Sequence, residues 1–121
     1  MSLTFRRAVR LRSRGEFDLV QRNGRRVSSR CLTLVGRPNA LTCDRLGIIA
    51  SRRIGGAVIR NRAKRRLREV FRQQQPDLAG ARGERTLDLV AIARRDLVEV
   101  PLAVVESEFT AALRKLRGVK A

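Results

Sequence analysis

The segment from residue 57 to residue 74 constrains the fold more than any other part of the chain. Its apolar side chains recur at spacings of three and four residues, the period of a helix with one buried face, at Ile59, Ala63, Leu67, Val70 and Phe71. A neighbouring row at i+4 spacing is cationic and holds Arg60, Lys64, Arg68 and Arg72, with Asn61 and Arg65 beside it. The segment therefore predicts a helix that lies on a core and leaves a cationic face outside.

That cationic face favours a polyanionic partner. Like charges four residues apart destabilise a helix by about 0.2–0.5 kcal/mol per pair, and a merely solvated helix usually alternates its charges. The whole chain carries 28 Lys and Arg against 11 Asp and Glu, a net charge of +17. Such repulsion costs stability unless a polyanion relieves it. A basic helix without a partner and a DNA-binding module are the alternatives, since phosphate contacts do not separate DNA from RNA.

Composition excludes several kinds of chemistry. The 121 residues suit one domain, and they include no His, which excludes His-based acid–base catalysis and His-ligated metals. Cys31 and Cys43 have neither metal-site spacing nor disulfide density, so we predict reduced thiols in a cytoplasmic protein. No apolar run approaches the roughly 20 residues that span a bilayer. The basic segment contains no cluster of carboxylates, which argues against a nuclease that acts through its own side chains.

The remaining patterns predict an α-β-β-α-β-α order. Residues 1–12 are predicted to form a basic flexible arm, and a capping box of Ser13 and Glu16 predicts a helix over 14–22. Strands are predicted over 26–36, 45–51 and 87–93, a loop over 75–85, and a last helix from Pro101 to Gly118. We expect a single-domain α+β sandwich with a small three-stranded sheet and a β-α-β crossover around the basic helix. Such crossovers are generally right-handed.

The glycine pair before the basic helix has two compatible interpretations. The open backbone N–H groups of a positive helix terminus would seat a phosphate, with Arg52, Arg53 and Arg60 nearby. Equally, Gly55 and Gly56 would serve as a tight turn between strand and helix.

The segment from Arg60 to Glu69, with the sequence RNRAKRRLRE, resembles the RNR signature of the bacterial ribonuclease P protein component. Residues 51–58 resemble that family's lead-in to the helix. Residues 11–17, 23–24, 27–30 and 89–94 resemble other parts of it, so the resemblance covers nearly the whole chain. It implies an unusual left-handed crossover, against the general rule, in a fold like the second domain of a small-subunit ribosomal protein. A structural RNA-binding protein of the ribosomal kind is the alternative, and the RNR motif favours ribonuclease P.

The resemblance implies a ribonucleoprotein that removes the 5′ leader of precursor tRNA. Its RNA subunit performs the Mg²⁺-dependent hydrolysis, and one protein is expected per RNA, with no membrane partner. The residues expected to bind the RNA subunit are Arg52, Arg53, Arg60, Asn61, Arg62, Lys64, Arg65 and Arg68.

The resemblance also implies a leader-binding cleft between the first helix and the sheet. The residues expected there are Phe17, Arg30, Cys31, Thr33 and Val35, with Arg53 as a further phosphate contact. Gln21 stands where the family often has a second aromatic, so weaker stacking on the leader is expected. The alternative for Phe17 is an ordinary core residue.

Overall fold

The structure is a computed structural model that describes residues 10–41, 43–74 and 86–118. Its helices and strands, in chain order, are α1 (Arg14–Asn23), β1 (Arg25–Ser28), β2 (Leu32–Pro38), β3 (Arg45–Ile49), α2 (Ala57–Gln74), β4 (Leu87–Ala93) and α3 (Leu102–Leu116). Short 3₁₀ turns precede α2 (Arg52–Ile54) and follow β4 (Arg95–Val98). The predicted loop over 75–85 and residues 1–9 of the predicted arm lie outside the described residues.

The four described strands form one mixed sheet in the order β1-β2-β4-β3. β2 pairs antiparallel with β1 and with β4, whereas β3 and β4 are parallel neighbours. Because parallel neighbours need a long connection, the chain between them runs through α2. The predicted α+β class and the β-α-β crossover around the basic helix are thereby confirmed.

The strand predicted over 26–36 is a hairpin of β1 and β2, so the prediction of three strands was wrong. The chain reverses at residues 29–31, where the Ser29 backbone N–H and hydroxyl both donate to the Leu32 carbonyl, at 2.9 and 3.0 Å. This turn contains no Gly, Pro, Asn or Asp. Apolar alternation continues on both sides of it, so the sequence pattern has no break at the reversal.

The prediction of a flexible arm was wrong for Arg10 and Leu11, which pair with an edge strand of the sheet. Leu11 is buried, and its backbone N–H donates to the Leu46 carbonyl at 3.0 Å. Arg10 forms an isolated parallel bridge with the same residue. Since β3 lies at an edge of the sheet, its unpaired backbone groups are available to bind this segment.

The sheet carries an apolar core on each face. On one face α2 and α3 bury Leu67, Phe71 and Phe109 against the strands, and the other face is covered in part by α1 through Val20. β4 is central and buried on both faces, which explains its nearly continuous apolar sequence. None of the described helices is long and apolar enough to cross a membrane.

Candidate RNA-binding surfaces

The outer face of α2 is a cationic surface held in place by the core. Because Ala63, Leu67 and Val70 are fully buried, the helix cannot turn its other side inward. The exposed side chains of that side include Asn61, Arg62, Arg65 and Arg68, with Arg60 and Lys64 partly exposed. Glu69, the single acid of the helix, is bound to Arg72 at 2.5 Å. Within the described residues, neither Arg62 nor Arg65 forms an ion pair.

Arg66 shows that not every cation of α2 belongs to this surface. Its Nη1 donates to the carbonyls of Leu97 and Val100, at 3.0 and 2.5 Å. The guanidinium therefore fastens α2 to the turn that follows β4. By contrast, the Nε of Arg60 is buried and has no hydrogen-bond partner among the described residues.

The lead-in to α2 adds two more exposed cations, Arg52 and Arg53. The 3₁₀ turn that carries them is capped by the Ser51 hydroxyl, which accepts from the Arg53 N–H at 3.3 Å. Gly55 has φ +149°, and a Cβ there would lie 2.8 Å from Cβ of Ile59, so only glycine fits. This supports the tight-turn interpretation for Gly55. A phosphate seat at the helix terminus stays a prediction.

Phe17 of α1 forms a second candidate surface, beside the edge strand β3. Its ring is half-buried and lies directly on Gly47 of β3, where an added Cβ would be 2.5 Å from its Cζ. The ring lines a groove of about 320 Å³ that Lys64 and Arg68 of α2 also line. The sequence analysis assigned Phe17 and these two cations to separate surfaces, and the structure joins them at one groove.

An ion-pair network fixes the position of α1, and thus of Phe17. The predicted capping box is present, because Ser13 Oγ accepts from the Glu16 N–H and Glu16 Oε1 accepts from the Ser13 N–H, both at 3.1 Å. The backbone N–H groups of Arg12 and Ser13, helped by Arg45, hold the pKa of Glu16 below its usual value. Arg45 bridges Glu16, at 3.0 Å, and Asp88, at 2.7 Å, and so ties α1 to β3 and β4.

Two of the predicted leader-binding residues are inaccessible. Val35 is fully buried in the core beneath α1, together with Val20. Cys31 is fully buried in the opposite core, and its backbone N–H donates to Glu108 of α3 at 2.9 Å. Burial raises the pKa of the Cys31 thiol to about 11. The placement of Cys31 in the cleft was wrong because the residue lies in the hairpin turn, outside the alternation of β2.

Of the other two predicted leader-binding side chains, Thr33 is also buried, whereas Arg30 is exposed. Thr33 lies on the α1 face of β2, with its hydroxyl 3.1 Å from that of Ser28. Arg30 is exposed at the hairpin turn, where its Nε binds Asp96 at 2.8 Å. Arg94 is a cation that the sequence analysis missed; it continues β4 in an extended conformation and is exposed. Because side chains alternate along a strand, Arg94 lies on the same face as Ile92, and this alternation could have identified it from the sequence.

These features define a class: a small basic α+β domain that presents a cationic helix and an aromatic groove, the combination with which proteins bind RNA. The family model described as Ribonuclease P matches residues 5–117. A ribonuclease P protein component from Chloroflexus aurantiacus is 38% identical over 111 residues, 91% of this chain and 78% of the relative. One from Thermotoga maritima is 31% identical over 122 residues, 98% of this chain and 100% of the relative.

Solved structures agree with this match. The ribonuclease P protein from Thermotoga maritima superposes with a TM-score of 0.70 at 30% identity, over 93% of this chain and 98% of that one. A mutant ribonuclease P protein from Staphylococcus aureus superposes with a TM-score of 0.76 at 25% identity, over 89% and 87%. The chain belongs to the ribonuclease P protein family. It is thus a component of an endoribonuclease with a role in tRNA processing.

Proposed function

We propose that the chain binds the catalytic RNA subunit of ribonuclease P through the outer face of α2 and its lead-in, and the 5′ leader of precursor tRNA through the groove beside Phe17. One observation carries this proposal: one side of α2 is buried in the core, and the other side exposes Arg62 and Arg65. Neither arginine has an acidic partner among the described residues. Arginine binds phosphate through a planar fork of donors, which suits an RNA backbone.

The described side chains do not fit a Mg²⁺ site. Residues 10–41, 43–74 and 86–118 contain no group of three His, Cys, Asp or Glu that would hold a metal ion. The buried Asp88 and Asp44 are bound to Arg45 and Arg117, respectively. Because Mg²⁺ takes oxygen ligands and often binds through phosphates, we assign it to the RNA subunit and the substrate RNA, where the hydrolysis takes place.

The protein then contributes binding energy for the two RNAs and holds the leader in place. Cations on α2 neutralise phosphates of the RNA subunit, and the Phe17 ring offers a stacking surface worth about 1–3 kcal/mol per base. Lys64 and Arg68 border both surfaces, so they are positioned to hold phosphates next to the stacked base. We therefore expect variants of Arg68 to affect both RNAs, whereas variants of Arg65 affect the RNA subunit.

Reconstitution tests the proposed function. Purified protein, RNA subunit and the two together are each incubated with precursor tRNA and Mg²⁺. We expect the complex to release the 5′ leader, and we expect no cleavage by the protein alone, since it lacks His and a carboxylate cluster in its basic segment. Robust 5′ cleavage by nuclease-free protein alone would contradict the assignment of the chemistry to RNA.

Two variants of the groove should separate the leader from the rest of the tRNA. Phe17→Leu removes the stacking ring, and Gly47→Ala displaces it, because the new Cβ would lie 2.5 Å from Cζ of Phe17. We expect each variant holoenzyme to bind leader-bearing precursor tRNA about 5- to 150-fold more weakly, the scale of about 1–3 kcal/mol for stacking. Affinity for mature tRNA and for the RNA subunit should stay unchanged.

The matched control is Leu19→Ala, which removes an exposed side chain from the same helix. A melting curve of each variant excludes unfolding as the cause of weaker binding. If Phe17→Leu weakens binding of precursor and mature tRNA equally, or only melts the protein, Phe17 is a core residue and the leader assignment is wrong.

A further inference from the structure

The cations on the outer face of α2 differ in their partners. Arg62 and Arg65 are exposed, and within the described residues neither forms an ion pair. Arg72 lies two turns after Arg65 on the same side of the helix, and it is bound to Glu69. The rise between Arg65 and Arg72 is about 10 Å. The outer face thus presents available cations in its first half and a closed ion pair near its end.

Three donors hold the Glu69 carboxylate in place. Arg72 binds both of its oxygens, since Nη2 donates to Oε1 at 2.5 Å and Nε donates to Oε2 at 3.1 Å. Nε2 of Gln73 also donates to Oε1, at 3.1 Å. A contact of arginine with both carboxylate oxygens has a fixed geometry. Arg72, and after it Gln73, hold the pKa of Glu69 below its usual value, so the carboxylate is charged at neutral pH.

The choice of Arg72 as the partner of Glu69 has a consequence for the cationic surface. Glu69 lies four residues after Arg65, which is also a spacing for an ion pair on one side of a helix. The structure pairs it with Arg72 instead, three residues further along the chain. The acid therefore occupies one arginine near the end of α2 and leaves Arg65 available to a phosphate.

We propose that Glu69 is a specificity-determining residue: it keeps Arg72 from contacting RNA, ends the RNA-binding surface of α2 before this pair, and so limits the binding of RNA other than the RNA subunit. A chain of net charge +17 attracts any RNA through phosphate contacts, which carry no sequence information. Discrimination then needs features that disfavour the wrong partners. This role rests on the proposed binding of the RNA subunit by α2.

The RNA subunit and an unrelated RNA should respond differently to the Glu69–Arg72 pair. A folded RNA whose phosphates match Arg62 and Arg65 binds in one position and gains nothing from a cation about 10 Å beyond them. An unrelated RNA binds in many positions along the helix, so each further available cation strengthens its binding. Removal of the Glu69 charge should therefore favour the unrelated RNA alone.

The experiment is a double-mutant cycle over Glu69 and Arg72 with two RNA probes. Each protein is titrated, at several salt concentrations, with the RNA subunit and with an RNA duplex of arbitrary sequence. Glu69→Gln should bind the duplex about fivefold more tightly, with a log–log salt slope steeper by about 1, because one more cation meets phosphate. Its affinity for the RNA subunit should be unchanged. Adding Arg72→Gln to Glu69→Gln should return the duplex affinity to that of the wild type.

The matched control is Glu106→Gln, which removes the same charge from a partly exposed position on α3. It should leave the affinities for both RNA probes unchanged, because it frees no cation on α2. A melting curve of each variant excludes a change in folding as the cause of altered binding.

Several results would overturn the inference. Equal tightening by Glu69→Gln and Glu106→Gln would show a general charge effect. Weaker binding of the RNA subunit by Glu69→Gln would make the carboxylate a contact of that RNA, and equal tightening for both RNAs would exclude a role in specificity. An unchanged duplex affinity, or tighter binding that persists in the double variant, would show that Arg72 is not the cation held back. Failure of the proposed function is distinguishable, because replacing Arg62 and Arg65 would then leave assembly with the RNA subunit unchanged.

Discussion

Replacing Asp44 by Ala is expected to lower the free energy of unfolding by about 3–5 kcal/mol, because it leaves a buried guanidinium without its counter-charge. Asp44 and Arg117 form an ion pair with side chains only 6% and 8% exposed. The carboxylate also accepts from the Leu87 N–H at 2.8 Å. One side chain thus fastens the end of α3 and the start of β4 to the chain just before β3.

Urea denaturation followed by circular dichroism checks this prediction, since the midpoint should fall while the slope stays constant. Glu99→Ala is the control: it breaks an exposed pair with Arg95 at 3.9 Å and should leave the midpoint unchanged. Asp44→Asn should fall between the two, because an amide still accepts from Leu87. An Asp44→Ala protein as stable as the Glu99→Ala control would show that the pair is not buried in solution.

Replacing Arg62 and Arg65 together by Ala is expected to weaken assembly with the RNA subunit by about 2–4 kcal/mol, or about 30- to 1000-fold in Kd. The estimate takes about 1–2 kcal/mol for each charge-assisted contact with a phosphate. Both side chains are exposed on α2, opposite its buried face, so the fold should tolerate the change. A filter-binding or gel-shift titration with the RNA subunit measures the effect.

Salt dependence gives an independent readout of the same surface. If about 6–8 phosphates are neutralised, the log–log salt slope of wild-type assembly should be about −4 to −7, and the double variant should be shallower by about 2. The control replaces Arg114 and Lys115 by Ala, which removes the same charge from the exposed side of α3. Equal weakening by the two double variants would mean that net charge, and not the face of α2, determines assembly.

Features that depend on residues close together in the chain were predictable from the sequence. The bounds of α2 were right because an apolar stripe at helical spacing has a single structural solution. The start of α1 was right because a capping box is a contact within one turn of chain. β4 was right because a central strand, buried on both faces, is apolar throughout. The RNR motif lies within α2, so the cationic surface followed from the same pattern.

The hairpin of β1 and β2, the burial of Leu11 and the position of Cys31 followed only from the tertiary structure. Each depends on a partner distant in sequence: Leu11 binds the free edge of β3, and Cys31 binds Glu108 of α3. Alternation along a strand shows that two faces exist but not which helix covers each one. Val35 was therefore assigned to the open cleft, although Val20 covers it.

The Phe17 groove likewise combines features that the sequence determined with one that only the tertiary structure determined. The sequence by itself determined that Phe17 lies on one amphipathic helix and that Lys64 and Arg68 lie on another. Only the tertiary structure brought them together, because Gly47 lets the Phe17 ring approach the backbone of an edge strand whose other side supports α2. Periodicity records how a segment is divided between core and solvent. Whether the exposed faces of two helices lie side by side depends on the register and packing of segments distant in sequence. Backbone pairing and side-chain volume across the whole domain determine both.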